Sequence, residues 1–382
     1  RNSAATRINK DGLIETVASG VSRLNYPLID GVVNGCPSHL LEPTRSNILP
    51  YSEDFSNAAW VKNGSSVTSG FTSPDGTTSA FKLIEDSSNS IHRIYNVIPI
   101  SNGVTYTQSI FAKKGGRNFL QIMFGGKINP TDFANFDLEN GVITSEVGDV
   151  SPKIEYYGNG WYKCSATATS TQTSSEAVYL TIVENGQSLR SQSYQGDGTS
   201  GIYIFGAQLE QGSFPTSYIK TVGISQTRVA DTATGAGDAS TFNDSEGVLY
   251  AEISALASSD TSYRALSLSD GTSSNKVQMW IWNNGTIFTY IVAQGSTSYT
   301  RFDNVNSSNI NKISISYKQN QFSTFINGIK TFSDVIGNTP TGLNNIRFSD
   351  TNGSANFYGN IKDVRVYNTA LSDAELTTLT TI

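Results

Sequence analysis

Histidine, cysteine and methionine are nearly missing, with two of each in 382 residues. His39 and His92 are too few for a histidine-rich metal site, and neither sits in a motif that would make it a catalytic base. Both read as packed or surface side chains. Cys36 and Cys164 allow at most one disulfide, which excludes a densely stapled scaffold. Charge is thin as well: charged residues make up 15%, with 26 basic against 32 acidic. No basic run exceeds Lys113-Lys114, so a nucleic-acid backbone has nothing to hold it. No apolar run nears the ~20 residues of a spanning helix, and the opening residues are polar, so membrane insertion is not expected. The chain opens at Arg1 rather than Met, as expected of a processed product or a piece of something longer.

Good helix formers are scarce, and Ser, Thr, Asn and 34 Gly fill their place, with 10% aromatic residues. That composition predicts short strands joined by tight turns and argues against helix bundles, Rossmann folds and TIM barrels. Asn-Gly begins at 34, 63, 102, 140, 159, 185, 284, 327 and 352, the pair suited to the two positive φ angles of a type I′ hairpin. Between these turns apolar and polar residues alternate, as in GVTYTQSIFAKK, EAVYLTIVE, GIYIFGAQLE and NKVQMWIWNNG. Each reads as an antiparallel strand with one buried face. The fold expected is all-β, two antiparallel β-sandwiches of jelly-roll type.

Composition shifts twice. Residues 1–46, interrupted by Pro27, Pro37 and Pro43, predict an extended N-terminal arm whose removal leaves both sandwiches folded. Residues 223–246 are small, polar and without period, and predict a linker between a sandwich at 47–222 and another at 247–382. Near the end, Ser372 with Glu375 three residues on forms a capping box, and Leu371 and Leu376 occupy the staple positions, so a short helix should follow. In the strand before it, the alternation of Ile361, Asp363, Val364 and Val366 predicts a register shift at Asp363-Val364.

Three stretches carry resemblances. LLEPTRSNILPYSEDFSNAAWVKNG (40–64) resembles the entry segment of many phage structural proteins, ahead of a jelly roll similar to carbohydrate-binding modules. GNGWYKCSATAT (158–169) and IYIFGAQLEQGSFPTSYIKT (202–221) resemble later strands of that domain. The third is F-x-G-x-I-x-x-V-x-x-Y followed by L-S-x-x-E, at Phe357, Gly359, Ile361, Val364, Tyr367, Leu371, Ser372 and Glu375. It is similar to the end of laminin-G-like, concanavalin A-type sandwiches. Together these imply an exposed component of a phage virion, a fibre or spike that is not an enzyme and binds host-surface glycans. Its partners would be other virion proteins, and such fibres are usually trimers. A purely structural capsid or tail decoration protein, and a secreted bacterial protein that binds or cleaves glycans, are the rival readings.

Glycosidases of the concanavalin shape carry Glu-x-Asp-x-x-Glu on one strand, which brings carboxyls about 5 Å apart; that string is absent. Asp75, Asp197, Asp270 and Asp350 fall in or beside turns, where local hydrogen bonding explains them. Sugar sites combine aromatic platforms with polar side chains. In NKVQMWIWNNG, Val277, Met279 and Ile281 share one face and Gln278, Trp280 and Trp282 the other. If the aliphatic face is core, Trp280 and Trp282 form a platform with Asn283, Asn284 and Arg264 beside it; the alternative packs both indoles under a loop or against other protein. Trp60 and Trp161, each beside an Asn-Gly turn, read as framework. No catalytic residue and no cofactor is expected. The turns at 196–201 and 269–275 offer Asp197 and Asp270 as weak ligands for a structural calcium, without the spaced carboxylates of a dedicated loop.

Overall fold

The computed structural model describes residues 1–125, 131–256, 263–282 and 284–382. Within them the chain is strand and turn, with one helix near the C-terminus. It divides into two units, neither of them one continuous stretch. Asn2–Gly35 with Thr44–Val229 make the first, and Arg1, Cys36–Pro43 and Ala230–Ile382 the second.

The first unit is a sandwich of two six-stranded sheets. One runs Val142–Val147, Phe133–Asp137, Phe119–Phe124, Ser174–Val183, His92–Ile100, Val61–Asn63; the other runs Ser151–Tyr156, Tyr162–Thr169, Thr105–Gly115, Gly201–Gln211, Ala80–Glu85, Ser65–Phe71. Alternate residues such as Ile94, Ile98, Leu120, Ile122, Leu180 and Ile204 meet between the sheets and are almost fully buried. Trp60 is in this core, its Nε1 donating to the Tyr51 carbonyl at 2.8 Å.

The opening residues are not an extended arm. Ala5–Ile8 pairs with Ile14–Val17 as a hairpin, and Ile8 and Ile14 pack with Ala80, Phe111, Trp161, Phe205 and Tyr218 in a second apolar layer of the first unit. The prolines end strands here without preventing them, because these strands are only two to four residues long. At Gly31 and Gly158 the turns touch: a Cβ on Gly158 would lie 2.4 Å from the Gly31 carbonyl oxygen, so only glycine fits. The stretch expected as a linker is likewise structured at both ends. Gln226–Arg228 pairs with Arg45–Asn47 in the first unit, and Thr234–Ala236 pairs with Asn345–Arg347 in the second.

In the second unit one sheet runs Thr234–Ala236, Asn345–Arg347, Arg264–Ser269, Lys276–Ile281, Thr286–Ala293, Ser296–Asn304. Facing it, strands run Ser38–Leu41, Gly359–Tyr367, Glu246–Ala255, Asn311–Lys318, Gln321–Ile326, Ile329–Asp334. Ser38–Leu41, from the expected arm, pairs with Gly359–Tyr367 through Leu41, Leu40 and His39. Leu249, Leu268, Val277, Met279, Ile291 and Ile315 are among the residues filling the space between. The register shift in Gly359–Tyr367 falls at Lys362, one residue before the expected place: Glu252 opposes Asp363 while Ile253 opposes Ile361.

Asp373–Thr380 is the helix, with both halves of the capping box formed by Ser372 and Glu375. Leu376 packs with Val248 and Phe325, and Leu371 lies against them. Of the Asn-Gly pairs only Asn159-Gly160 and Asn327-Gly328 have both φ angles positive. At most of the others glycine alone is left-handed, so these turns are of other types. Cys36 and Cys164 are both free thiols.

Candidate functional site

The strand Lys276–Ile281 sends Val277, Met279 and Ile281 into the core, so Gln278 and Trp280 lie on the opposite face. The next strand places Tyr290 opposite Gln278 and Phe288 opposite Trp280. One strand further, Phe302 stands opposite Phe288. Directly opposed residues share a face, and the result is a continuous aromatic surface.

Its rings touch. Phe288 stacks on Phe302 at 4.3 Å and on Tyr290 at 4.8 Å. Trp282, just past the strand end, meets Phe302 edge-on at 5.6 Å, and its backbone closes the hairpin through Thr286. Tyr263 sets its ring against both indoles, 5.6 Å from Trp280 and 5.4 Å from Trp282. Tyr263 is 48% and Phe302 51% exposed, and the remaining rings are half-buried. The indoles are thus neither core residues nor a bare platform; they are the inner part of a larger exposed aromatic patch.

Polar groups sit among the rings. The Lys276 ammonium lies 4.8 Å from the Tyr290 ring centre. Gln278 is fully buried, yet among the described residues neither its amide nitrogen nor its amide oxygen has a hydrogen-bond partner, and the Trp280 Nε1 also lacks one. Buried polar groups left unpaired are uncommon and costly. The register brings Ser267 and Arg347 onto the same face, and the strand residues it aligns there include no Asp or Glu. This surface is built to present C–H-binding rings and hydrogen-bonding groups rather than a pair of carboxylates.

The remaining expected site residues fare differently. Arg264 opposes Ile281 and so belongs to the core-facing side of its strand, only 4% exposed, on the face opposite Trp280. Asn284 is exposed, and its side-chain oxygen accepts from the Thr286 backbone at 3.0 Å, closing its own turn. Asn283 lies outside the described residues. Phe288, Tyr290, Phe302, Tyr263 and Lys276 were not anticipated. The alternation in Thr286–Ala293, with Ile287 and Ile291 buried around Phe288 and Tyr290, was the available signal.

Neither calcium candidate has the chemistry of a metal site. The Asp197 carboxylate accepts from Thr199 N, Thr199 Oγ1 and Ser200 N, and these bonds, led by those from Ser200, hold it well below the ordinary carboxylate range. For Asp270, burial pulls the carboxyl up, but bonds from Thr272 and Asn275 outweigh it and the net shift is downward. Asp75 and Asp350 close their own turns in the same way. Among the described residues no three His, Cys, Asp or Glu side chains come together to hold a metal ion, and no helix is long and apolar enough to cross a membrane.

Residues 240–377 match the laminin G-type family model described as the concanavalin A-like lectin/glucanases superfamily. No curated protein matches the chain. Among solved structures, it is similar to the CBM40 module of the Ruminococcus gnavus IT-sialidase bound to alpha2,3 sialyllactose, at 21% identity and TM-score 0.33, over 39% of this chain and 94% of that one. It is similar to the Streptococcus pneumoniae NanB sialidase at 16% identity and TM-score 0.31, over 37% of this chain and 24% of the sialidase. Domains LG4-5 of the mouse laminin alpha1 chain are similar at 11% identity and TM-score 0.28, over 75% of this chain and 90% of theirs.

Proposed function

We propose that the chain binds carbohydrate without turning it over, through the aromatic face of its C-terminal sandwich, and does so as an exposed part of a phage fibre or spike. The observation that carries the binding reading is the open aromatic patch, in which Tyr263 and Phe302 are exposed beside the Trp280 and Trp282 indoles. A pyranose offers C–H groups to the exposed rings of Tyr263 and Phe302, and the half-buried Trp280 and Trp282 indoles extend that contact. The virion setting rests on the sequence resemblances alone, and with it the virion partners and a trimer that would multiply weak contacts by avidity. The same face would serve a secreted glycan-binding protein equally well.

A glycan array with the whole chain tests the reading, followed by calorimetry on the best ligand. Trp280→Ala and Trp282→Ala are each expected to weaken binding at least tenfold. Their stability cost should fall short of the ~3–5 kcal/mol of a fully buried aromatic such as Trp60. Unchanged affinity in both variants removes this face from the function. Detection of the chain in purified phage particles, or in culture supernatant free of them, separates the two settings.

A further inference from the structure

The first unit carries a second surface with unmet chemistry. On the sheet containing His92–Ile100, the face turned away from the core aligns Arg93 with Thr181 and Gln121, and Tyr95 with Tyr179 and Met123. The loop after Ser174–Val183 folds over one end of this face. Its Ser191 backbone N–H donates to Gln121 Oε1 at 2.9 Å, and the Gly186 and Ser188 carbonyls accept from Asn135 Nδ2. This pinned loop delivers Arg190, whose guanidinium donates to the Phe124 carbonyl at 2.5 Å.

Arg93 reaches the same loop from the strand, through Ser191, the residue that follows Arg190. The Arg93 guanidinium lies 4.5 Å from the Tyr179 ring centre and 5.8 Å from that of Tyr95, and it donates only a long contact, 3.4 Å, to Ser191 Oγ. Burial, then the charge of Arg93, pushes the Arg190 guanidinium below its ordinary range, against upward pulls from Tyr179 and Asp132. Neither arginine forms an ion pair among the described residues. Asp132, the carboxylate whose charge acts on Arg190, accepts from the Asp149 backbone N–H at 2.7 Å and from Thr131 Oγ1 at 2.9 Å. The Nε groups of both arginines are buried and have no hydrogen-bond partner among the described residues, and the same holds for Oγ1 of the fully buried Thr181, which stands between Arg93 and Gln121.

Two guanidiniums held together on a tyrosine bed without a counter-ion raise the energy of the empty surface and favour an anion that reaches both. A bare inorganic ion would use the arginines and leave the adjoining tyrosines idle. We infer that Arg93 and Arg190 form a subsite for a carboxylate-bearing sugar residue, the carboxylate bridging the two guanidiniums and the ring lying along Tyr95 and Tyr179. This site is independent of the aromatic face in the other unit, and either can fail alone.

Calorimetry on the whole chain in phosphate-free buffer tests it, with N-acetylneuraminic acid and digalacturonate as probes and lactose and inorganic phosphate as comparators. The expected result is binding of at least one acidic sugar, not matched by lactose or phosphate, that weakens with added salt. Arg93→Gln and Arg190→Gln should each reduce it at least tenfold with the melting temperature unchanged or raised, since each removes a like-charge contact. Trp280→Ala should leave it intact. Failure of both acidic sugars to bind, phosphate binding as tightly as they do, or affinity unaltered in both arginine variants overturns the assignment. Tyr95→Leu, which keeps an apolar side chain on the strand, adds an independent check: unchanged affinity there would mean the ring contact is wrong.

Discussion

A buried amide without a hydrogen bond costs about 1–3 kcal/mol, because the water it gave up is not replaced. Gln278 is in that position, while its strand neighbours Val277 and Met279 are well packed in the core. Gln278→Leu keeps the shape and removes the unpaired groups, so it is predicted to raise the unfolding free energy by about that amount and, being beneath the rings, to leave glycan binding unchanged. Chemical denaturation and calorimetry on one sample report both, and a destabilised variant would show that the amide has a partner after all. The face of Gln278, Trp280 and Trp282 was legible in the sequence because three aliphatic residues alternate with them. Arg264 was not legible: its face depends on pairing with Ile281, and strand pairing is not written in either strand alone. The contribution of Phe302 was hidden for the same reason.

Local elements follow local rules where the chemistry is complete within a few residues. The Ser372 cap could be read directly, since both partners lie one turn apart. Ser372→Ala is predicted to lower the stability of the C-terminal sandwich by about 0.5–2 kcal/mol, and a thermal melt beside an exposed serine control such as Ser308→Ala checks it. The hairpin turns were less legible, because Asn-Gly specifies a left-handed glycine but not the second positive φ. Least legible was the bridge between Ala80–Glu85 and the turn at 196–201. Glu85 is fully buried, clasped by Arg117 through two bonds of 2.7 and 2.8 Å and by the Tyr194 hydroxyl at 2.5 Å. Burial raises its carboxyl, but Arg117, Tyr194 and the Asp197 backbone more than reverse this, and the folded-state value ends below 4.5. A depressed carboxylate contributes stability that is complete above the unfolded value and lost as pH falls through the folded one. The N-terminal sandwich should therefore weaken on acidification below about pH 4.5, and Glu85→Gln should flatten part of that slope in urea titrations. Arg117→Met, which leaves the buried Glu85 carboxylate without its counter-ion, is predicted to cost about 3–5 kcal/mol; Lys153→Met, at an exposed pair with Glu155, should cost under about 1.

For the molecule as a whole, the all-β architecture followed from composition and alternation, and its division followed less well. Sequence-adjacent reasoning assigns each stretch to its neighbour, whereas Ile8 and Ile14 belong with Phe111, Trp161 and Phe205, more than ninety residues on. Deleting residues 1–35 is therefore predicted to lower the melting temperature of the N-terminal sandwich and to increase dye binding by the uncovered apolar layer. An unchanged melt would restore the reading of those residues as a dispensable arm. Ser38–Leu41 is the sharper case, because its partner Gly359–Tyr367 lies near the other end of the chain. At a synthesis rate of about 5–20 residues per second, the roughly 300 residues between them take on the order of 15–60 s to emerge from the ribosome. For all that time Leu40 and Leu41, buried in the finished protein, lack their partner Gly359–Tyr367, while the sandwich formed by the N-terminal part of the chain is already free to close. The nascent chain thus completes the N-terminal sandwich long before the C-terminal one to which Ser38–Leu41 belongs, and that early strand must be kept from other sheet edges until its last partner is made.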